Sequence, residues 1–353
     1  MSVVSSVREN ESFRGQQEVL ISADSHVIEP IDLWAERVPG RLRQRAPVFR
    51  PRQGDKPGAE DPANRARIME EDGVSAEVLY PTYGLGLFGL EDPDLQEACF
   101  EVYNDWAMGY CAHHPGRLVA IPCIPCYDID RGIKELERAT NGGMKGGLIW
   151  QVPHPDYPFT SGHYEPLWEA AQALDAPVNI HILTGFNYTK DPARRTGVEQ
   201  FRSTVNLKTC EAADVLVYLI FGGVLERYPG LKIVVVESEI GWMPFYLQQW
   251  DYYYHRFIKD AQRLIKEPPS FYFNRQVYAT FFNDNVGAHN FAWFGHDRFM
   301  WSNDFPHGNT TWPNSRKVIE RDLGGLPPDV RSKLVRENVL KLYNLPVPQP
   351  IGS

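Results

Sequence analysis

The sequence predicts an α/β fold, a single closed (β/α)8 barrel, and three observations point there. Eight short apolar runs alternate with helical segments, and strands so separated lie parallel because parallel neighbours need crossover connections. Eight such units in 353 residues suit one barrel, although length alone also allows two domains. No Gly-x-Gly-x-x-Gly follows the first run, which removes the usual dinucleotide signature of the alternative, an open doubly wound sheet. The expected barrel spans residues 19–345, between a polar amino-terminal tail (1–18) and a short carboxyl-terminal one (346–353).

Each element has its own signal. Leu20 to Ala23 is a buried strand leading into Asp24-Ser25-His26, with Pro30 closing the segment. Arg41 to Arg65, rich in Pro, Gly and Arg, reads as a surface excursion. A short helix, Arg65 to Gly73, stops on its glycine, and Ala76 to Tyr80 forms strand two. Leu95 to His114 is a helix ended by Pro115-Gly116, Arg117 to Cys123 strand three, and Ile129 to Thr140 a helix with apolar residues at helical spacing. Lys145 to Trp150 is strand four, Tyr164 to Leu174 a helix, and Pro177 to Ile182 strand five. A polar loop over the site (Gly185 to Arg202) precedes helices at Leu207 to Phe221 and Val224 to Tyr228. Leu231 to Val236 is the clearest buried strand, the sixth, and Ile240 to Ile265 a long aromatic helix. Gln276 to Phe281 and Arg298 to Ser302 are strands seven and eight, before the closing helices at Pro327 to Tyr343.

Composition excludes several functions. The net charge is −9 and no long basic run occurs, so nucleic acid and anionic membrane are not expected partners. No apolar run reaches the ~18 residues of a membrane span, and the amino terminus lacks a signal-peptide core. Five cysteines make no disulfide framework, and a cytoplasmic setting is expected. Cys123-x-x-Cys126 has no answering pair and reads as the apolar end of a strand.

The polar residues at the strand ends carry the chemistry. Alternate residues of a strand share a face, so Asp24 and His26 point the same way. His181 ends strand five, Glu237 follows strand six, and Asp304 and His307 follow strand eight, all at the mouth of one barrel. Such oxygen and nitrogen donors suit iron, manganese or zinc. Each also has a plainer reading: His181 as a hydrogen-bonded core imidazole, Asp304 as a turn former, Glu237 as a helix cap.

The run Asp24-Ser25-His26-Val27-Ile28-Glu29-Pro30 resembles the metal-dependent amidohydrolase superfamily, in its aminocarboxymuconate-semialdehyde decarboxylase-like (amidohydrolase 2) branch. His181, Glu237-Ser238-Glu239-Ile240-Gly241-Trp242-Met243-Pro244-Phe245, Ser302-Asn303-Asp304-Phe305-Pro306-His307 and Trp312-Pro313 extend the likeness from about Leu20 to Tyr343. The resemblance implies a (β/α)8 barrel with metal on Asp24, His26, His181 and Asp304. The departures matter as much. An Asp takes the first place of the family's frequent His-x-His. Glu237 stands where decarboxylases resembling this chain have a strand-six histidine. Strand four ends Ile149-Trp150-Gln151 without the carboxylated lysine of many hydrolytic members, Lys145 lying at its other end.

A buried Glu237 needs compensation, and no lysine adjoins it in sequence. One arrangement is a second metal on Glu237, His255 and His307, with Arg256 as the other available cation. The plainer readings are a helix-surface or core aromatic for His255 and a turn or outer-contact role for His307. Two carboxylate-rich sites resemble the superfamily's small oxygenase branch, with dinuclear iron or iron–manganese centres. The first expectation is therefore a monooxygenase hydroxylating a small or apolar carboxylic acid or its thioester, with dioxygen as co-substrate. The alternative is a hydrolase or decarboxylase with one zinc or manganese, in which Asp304 or Glu237 is the general base on metal-bound water. A non-catalytic partner subunit is the third. Tyr80, Tyr83 and Trp150 are expected to line an apolar substrate pocket, or else to pack at the barrel rim. Arg202 and Lys208 would meet an anion or stand as solvated surface, and the helix Trp242 to Phe257 would pack on an oligomeric partner or on its own barrel.

Overall fold

Among the described residues eight short strands form, each buried on both faces: β1 (Ile21–His26), β2 (Ala76–Tyr80), β3 (Leu118–Ala120), β4 (Gly147–Ile149), β5 (Val178–His181), β6 (Ile233–Val236), β7 (Val277–Phe281) and β8 (Phe299–Trp301). The computed structural model describes residues 18–186, 205–257, 264–290 and 294–349. All pairings between strands are parallel, in two runs, β1-β2-β3 and β4-β5-β6-β7-β8. The two seams between the runs are each closed by a few backbone hydrogen bonds. Leu148 N donates to Pro122 O (2.7 Å) and Ile124 N to Leu148 O (2.9 Å), while Asp304 N donates to Asp24 O (3.0 Å) and His26 N to Phe305 O (2.6 Å). The sheet thus returns on itself as the expected single barrel, with helices outside.

Helix ends follow local chemistry. Pro62–Asp72 starts three residues before the expected Arg65, because Asp61 accepts from Ala63 N (3.0 Å) and Pro62 needs no donor. It stops at Gly73, whose φ of 73° is left-handed. Within the expected aromatic helix 240–265, Met243–Arg256 is helical, and residues 258–263 lie outside the described residues. Its start is delayed because Ile240 N donates to Asp284 Oδ2 (2.7 Å), as does Gly241 N, instead of entering the helix. Helices Pro269–Gln276 and Ser315–Leu323 carry no signal long enough to stand out in the sequence. No described helix is long and apolar enough to cross a membrane. Cys123 and Cys126 are free and buried in the core.

The expected surface excursion is tied to the barrel mouth. Lys56 N donates to Pro306 O (2.7 Å), Tyr110 Oη donates to Ala59 O (2.9 Å), and Ala59 is buried.

Candidate metal centre

Asp24 and His26 come from the end of β1, His181 from the end of β5, and Glu237, Asp304 and His307 from the turns after β6 and β8. The first three and Asp304 are fully buried, and Glu237 and His307 nearly so. β1 does not keep strict alternation. Its register against β2 runs Ser22↔Glu77 and then Ser25↔Leu79, three steps against two, a bulge of one residue. Ser22 and Ser25 therefore share the outer face, with their hydroxyls 2.9 Å apart, leaving Asp24 and His26 to the interior. Glu237, Glu239 and Asp304 have φ of 55°, 55° and 53°, left-handed backbone that costs a residue with a Cβ about 1–2 kcal/mol.

The two imidazoles are fixed by their outer nitrogens. His26 Nδ1 lies 2.9 Å from Pro81 O, and His181 Nδ1 2.6 Å from Ile182 O. A carbonyl only accepts, so each Nδ1 carries the proton and each Nε2 presents a lone pair to the interior. The two Nε2 atoms face each other at 3.3 Å. His26 Nε2 is 3.5 Å from Asp24 Oδ1 and from Asp304 Oδ1, and His181 Nε2 is 3.7 Å from Asp24 Oδ1 and from Glu237 Oε2. All four carboxylate oxygens of Asp24 and Asp304 are buried without a hydrogen-bond donor. Orphaned carboxylates around two lone pairs are costly in a dry site and are satisfied together by one cation. Two overlapping groups fit a divalent transition metal: Asp24, His26, His181 and Glu237, whose donor atoms all lie within 4.8 Å of one another, and His26, Asp304 and His307, likewise.

The protein alone leaves this point short of positive charge. Burial, with His307 and His181 nearby, holds His26 well below the ordinary imidazole range. Burial, reinforced by Glu237 and Asp24, pushes the Asp304 carboxyl well up, and burial raises Asp24 despite His181. Burial opposes protonation of His181, but Asp24 and Glu237 outweigh it and carry that imidazole upward.

Glu237 finds a partner the sequence does not reveal. Lys208 Nζ lies 3.7 Å from Glu237 Oε1 and 3.4 Å from Glu239 Oε1, and 4.7 Å from the centre of the Phe282 ring. Burial would lower this ammonium, but Glu237, Glu239 and Asp304 more than compensate and raise it. Lys208 is thus drawn in from its expected place on the surface.

His255 is not brought to the centre. The buried face of helix Met243–Arg256 runs through Met243, Leu247 and Tyr254, and the next residue turns about 100° away, leaving His255 exposed. Arg256 is likewise exposed, beside Tyr253 and Phe257. The expected second ligand set is therefore incomplete. His307 is present, its ring 4.2 Å from that of His26 and its Nδ1 3.4 Å from Asp55 Oδ1. Asp55, like Lys208, is a contact that sequence spacing does not signal, since 252 residues separate it from His307.

Of the three aromatics, Tyr80 lies closest to the imidazoles, 5.2 Å from the His181 ring, with its hydroxyl donating to Asn179 Oδ1 (2.9 Å). Tyr83 stacks on Phe49 at 5.2 Å, and Trp150 packs against Tyr127 while its Nε1 donates to Phe88 O (2.9 Å). Arg202 and most of the expected loop Gly185 to Arg202 lie outside the described residues.

Comparison with known proteins identifies the family. The amidohydrolase family model matches residues 24–345. A γ-resorcylate decarboxylase of Polaromonas sp. (strain JS666 / ATCC BAA-500) is 24% identical over 313 residues, covering 80% of this chain and 86% of the relative. Among solved structures, an amidohydrolase from Mycobacterium avium subsp. paratuberculosis K-10 superposes with a TM-score of 0.78 at 19% identity, covering 93% of this chain and 100% of that one. A dihydroxybenzoic acid decarboxylase from Polaromonas sp. JS666, with bound manganese and the inhibitor 2-nitroresorcinol, gives 0.70 at 20% identity, covering 93% and 97%.

Proposed function

The chain belongs to the amidohydrolase family, and from that premise we propose that it is a divalent-metal-dependent carboxy-lyase acting on a small aromatic carboxylic acid that bears ring hydroxyls. The observation that carries this is the buried set of two proton-free Nε2 atoms and two donorless carboxylates at the ends of β1, β5 and β8. Decarboxylation is favoured over hydrolysis by the decarboxylases among the relatives and by the end of β4, where Trp150 stands in place of a metal-bridging lysine.

A manganese-type ion bound there supplies a Lewis acid for the substrate's oxygen atoms. The reaction requires a proton on the ring carbon that carries the carboxylate. The carbon–carbon bond then breaks, its electron pair returns to the ring, and CO2 leaves. Asp304, 3.5 Å from His26 Nε2 at the mouth of the barrel, is the carboxyl assigned to pass that proton to the ring carbon. Glu237, seated by Lys208, faces the same space and orients the substrate against His181. Tyr80 forms part of the apolar floor.

The presence of Glu237 and His307 beside the first four donors favours a second reading, a dinuclear iron monooxygenase. It is less well supported, because His255 is exposed and Lys208 already neutralises Glu237. Elemental analysis with assays on dihydroxybenzoates separates the two. One divalent ion per chain and CO2 release indifferent to oxygen are expected. Two irons with oxygen uptake and no CO2 release would establish the oxygenase instead.

A further inference from the structure

Behind the metal-facing side of β1 and β8 lies a second layer of charge that the chemistry above does not use. Arg65, on the helix Pro62–Asp72, is fully buried. Its Nε donates to Glu77 Oε2 (2.6 Å), its Nη1 donates to the backbone carbonyl of His26 (2.7 Å), and its guanidinium lies 4.7 Å from the centre of the Phe305 ring. Glu77 in turn accepts from Asn303 Nδ2 at Oε1 (3.3 Å). Asn303 Oδ1 accepts from Ser25 Oγ (2.7 Å) and Phe305 N (3.1 Å). Ser22 Oγ accepts from Asn303 N (2.9 Å) and itself donates to Asp24 O (2.9 Å). The network therefore grips the backbone of Asp24 and His26 on one strand and brackets Asp304 through Asn303 and Phe305 on the other. It does so across the β8–β1 seam, where Asp304 N to Asp24 O and His26 N to Phe305 O are the backbone bonds that hold the two strands.

We infer that Arg65, with Glu77 and Asn303, is a positioning assembly that sets the metal affinity of the centre by fixing the β1 ligands against the β8 ligand. The inference rests on the reading of Asp24, His26, His181 and Asp304 as metal ligands. A buried ion pair is a poor source of stability, because desolvating the two charges offsets their attraction, and a well-packed apolar pair serves the fold as well. An ion pair that also holds a ligand's carbonyl acts through geometry: Arg65 spans Glu77 and His26 with a rigid fork, which an ammonium cannot reproduce. Removing outer contacts to ligands typically weakens metal binding about 10–100-fold.

The test uses the full chain, stripped of metal, in three forms: wild type, Arg65→Lys, and the double variant Arg65→Met with Glu77→Leu. Mn2+ affinity is measured by titration, the Tm of the metal-free protein by calorimetry, and ligand geometry by the visible spectrum of the Co2+ form. The double variant, which takes these partners from the His26 carbonyl and Asn303 Nδ2, is expected to lose a few degrees of metal-free Tm, bind Mn2+ about 10–100-fold more weakly, and show an altered Co2+ spectrum, with Arg65→Lys between it and wild type. Affinity within twofold of wild type in the folded double variant overturns the inference, as does a loss of affinity that only tracks a loss of Tm. Should the double variant not fold, Arg65→Lys decides by the same two criteria. A wild-type protein that binds no Mn2+ would overturn the ligand reading and this inference with it. No substrate enters the test, so a failure of the decarboxylase reading leaves it intact.

Discussion

His181 tests the centre at the scale of one side chain. It meets the interior through Nε2 alone, its other nitrogen being committed to Ile182 O. His181→Ala is expected to lose most of the bound metal, read by elemental analysis, while circular dichroism shows the fold retained. Asp304→Asn removes the carboxyl proposed to pass the proton, and kcat for CO2 release should fall at least about hundredfold. Lys208→Met leaves Glu237 and Glu239 facing each other without their cation. A loss of roughly 1–3 kcal/mol is expected by urea denaturation, and an unchanged midpoint would show that the ammonium contributes nothing there.

Among the elements, the turn after β2 is pinned by a glutamate from the loop after β1. Glu29 Oε2 accepts from Thr82 N (3.2 Å) and Tyr83 N (3.0 Å), and Oε1 from Gly84 N (3.0 Å). A Cβ on Gly84 would stand 3.1 Å from Glu29 Oε1 and 2.6 Å from Pro81 Cβ, so the approach needs glycine. Burial pushes the Glu29 carboxyl up to about 7, against the pull of those three N–H groups. Its folded pKa lies above its unfolded one, so its contribution is complete below about pH 4.5 and is lost as pH rises through 7. The loss is at most about 3 kcal/mol. Metal-free protein should therefore show a Tm falling over that window, and Glu29→Gln should flatten the fall. The same variant should start from a lower Tm at pH 5, because an amide nitrogen cannot accept what one of the two oxygens accepts.

On the scale of the whole molecule, the barrel closes through two seams, and its metal donors come from strands far apart in sequence. Binding at the mouth stabilises the whole chain, by about 2.7 kcal/mol at a hundredfold excess of ion over Kd. Chelation should lower Tm accordingly. Metal occupancy should fall as pH drops and protons compete, first at His181, whose imidazole is carried upward by Asp24 and Glu237, and only at lower pH at His26. Limited proteolysis is expected to cut first at the exposed segment Pro51 to Gly54, without releasing a folded half, as one closed barrel requires. The sequence by itself determined the eight strands, their parallel order and the position of six candidate donors, Asp24, His26, His181, Glu237, Asp304 and His307, at the strand ends. Strand periodicity and strand-end position are local properties, and barrel topology gathers all strand ends at one mouth. Only the tertiary structure decided that His255 turns away, since a residue's face depends on which side of its helix meets the core. It alone also brought Lys208 to Glu237, Asp55 to His307 and Arg65 to the back of His26, because burying a charge makes it seek the partner that packing brings near, whatever their separation along the chain.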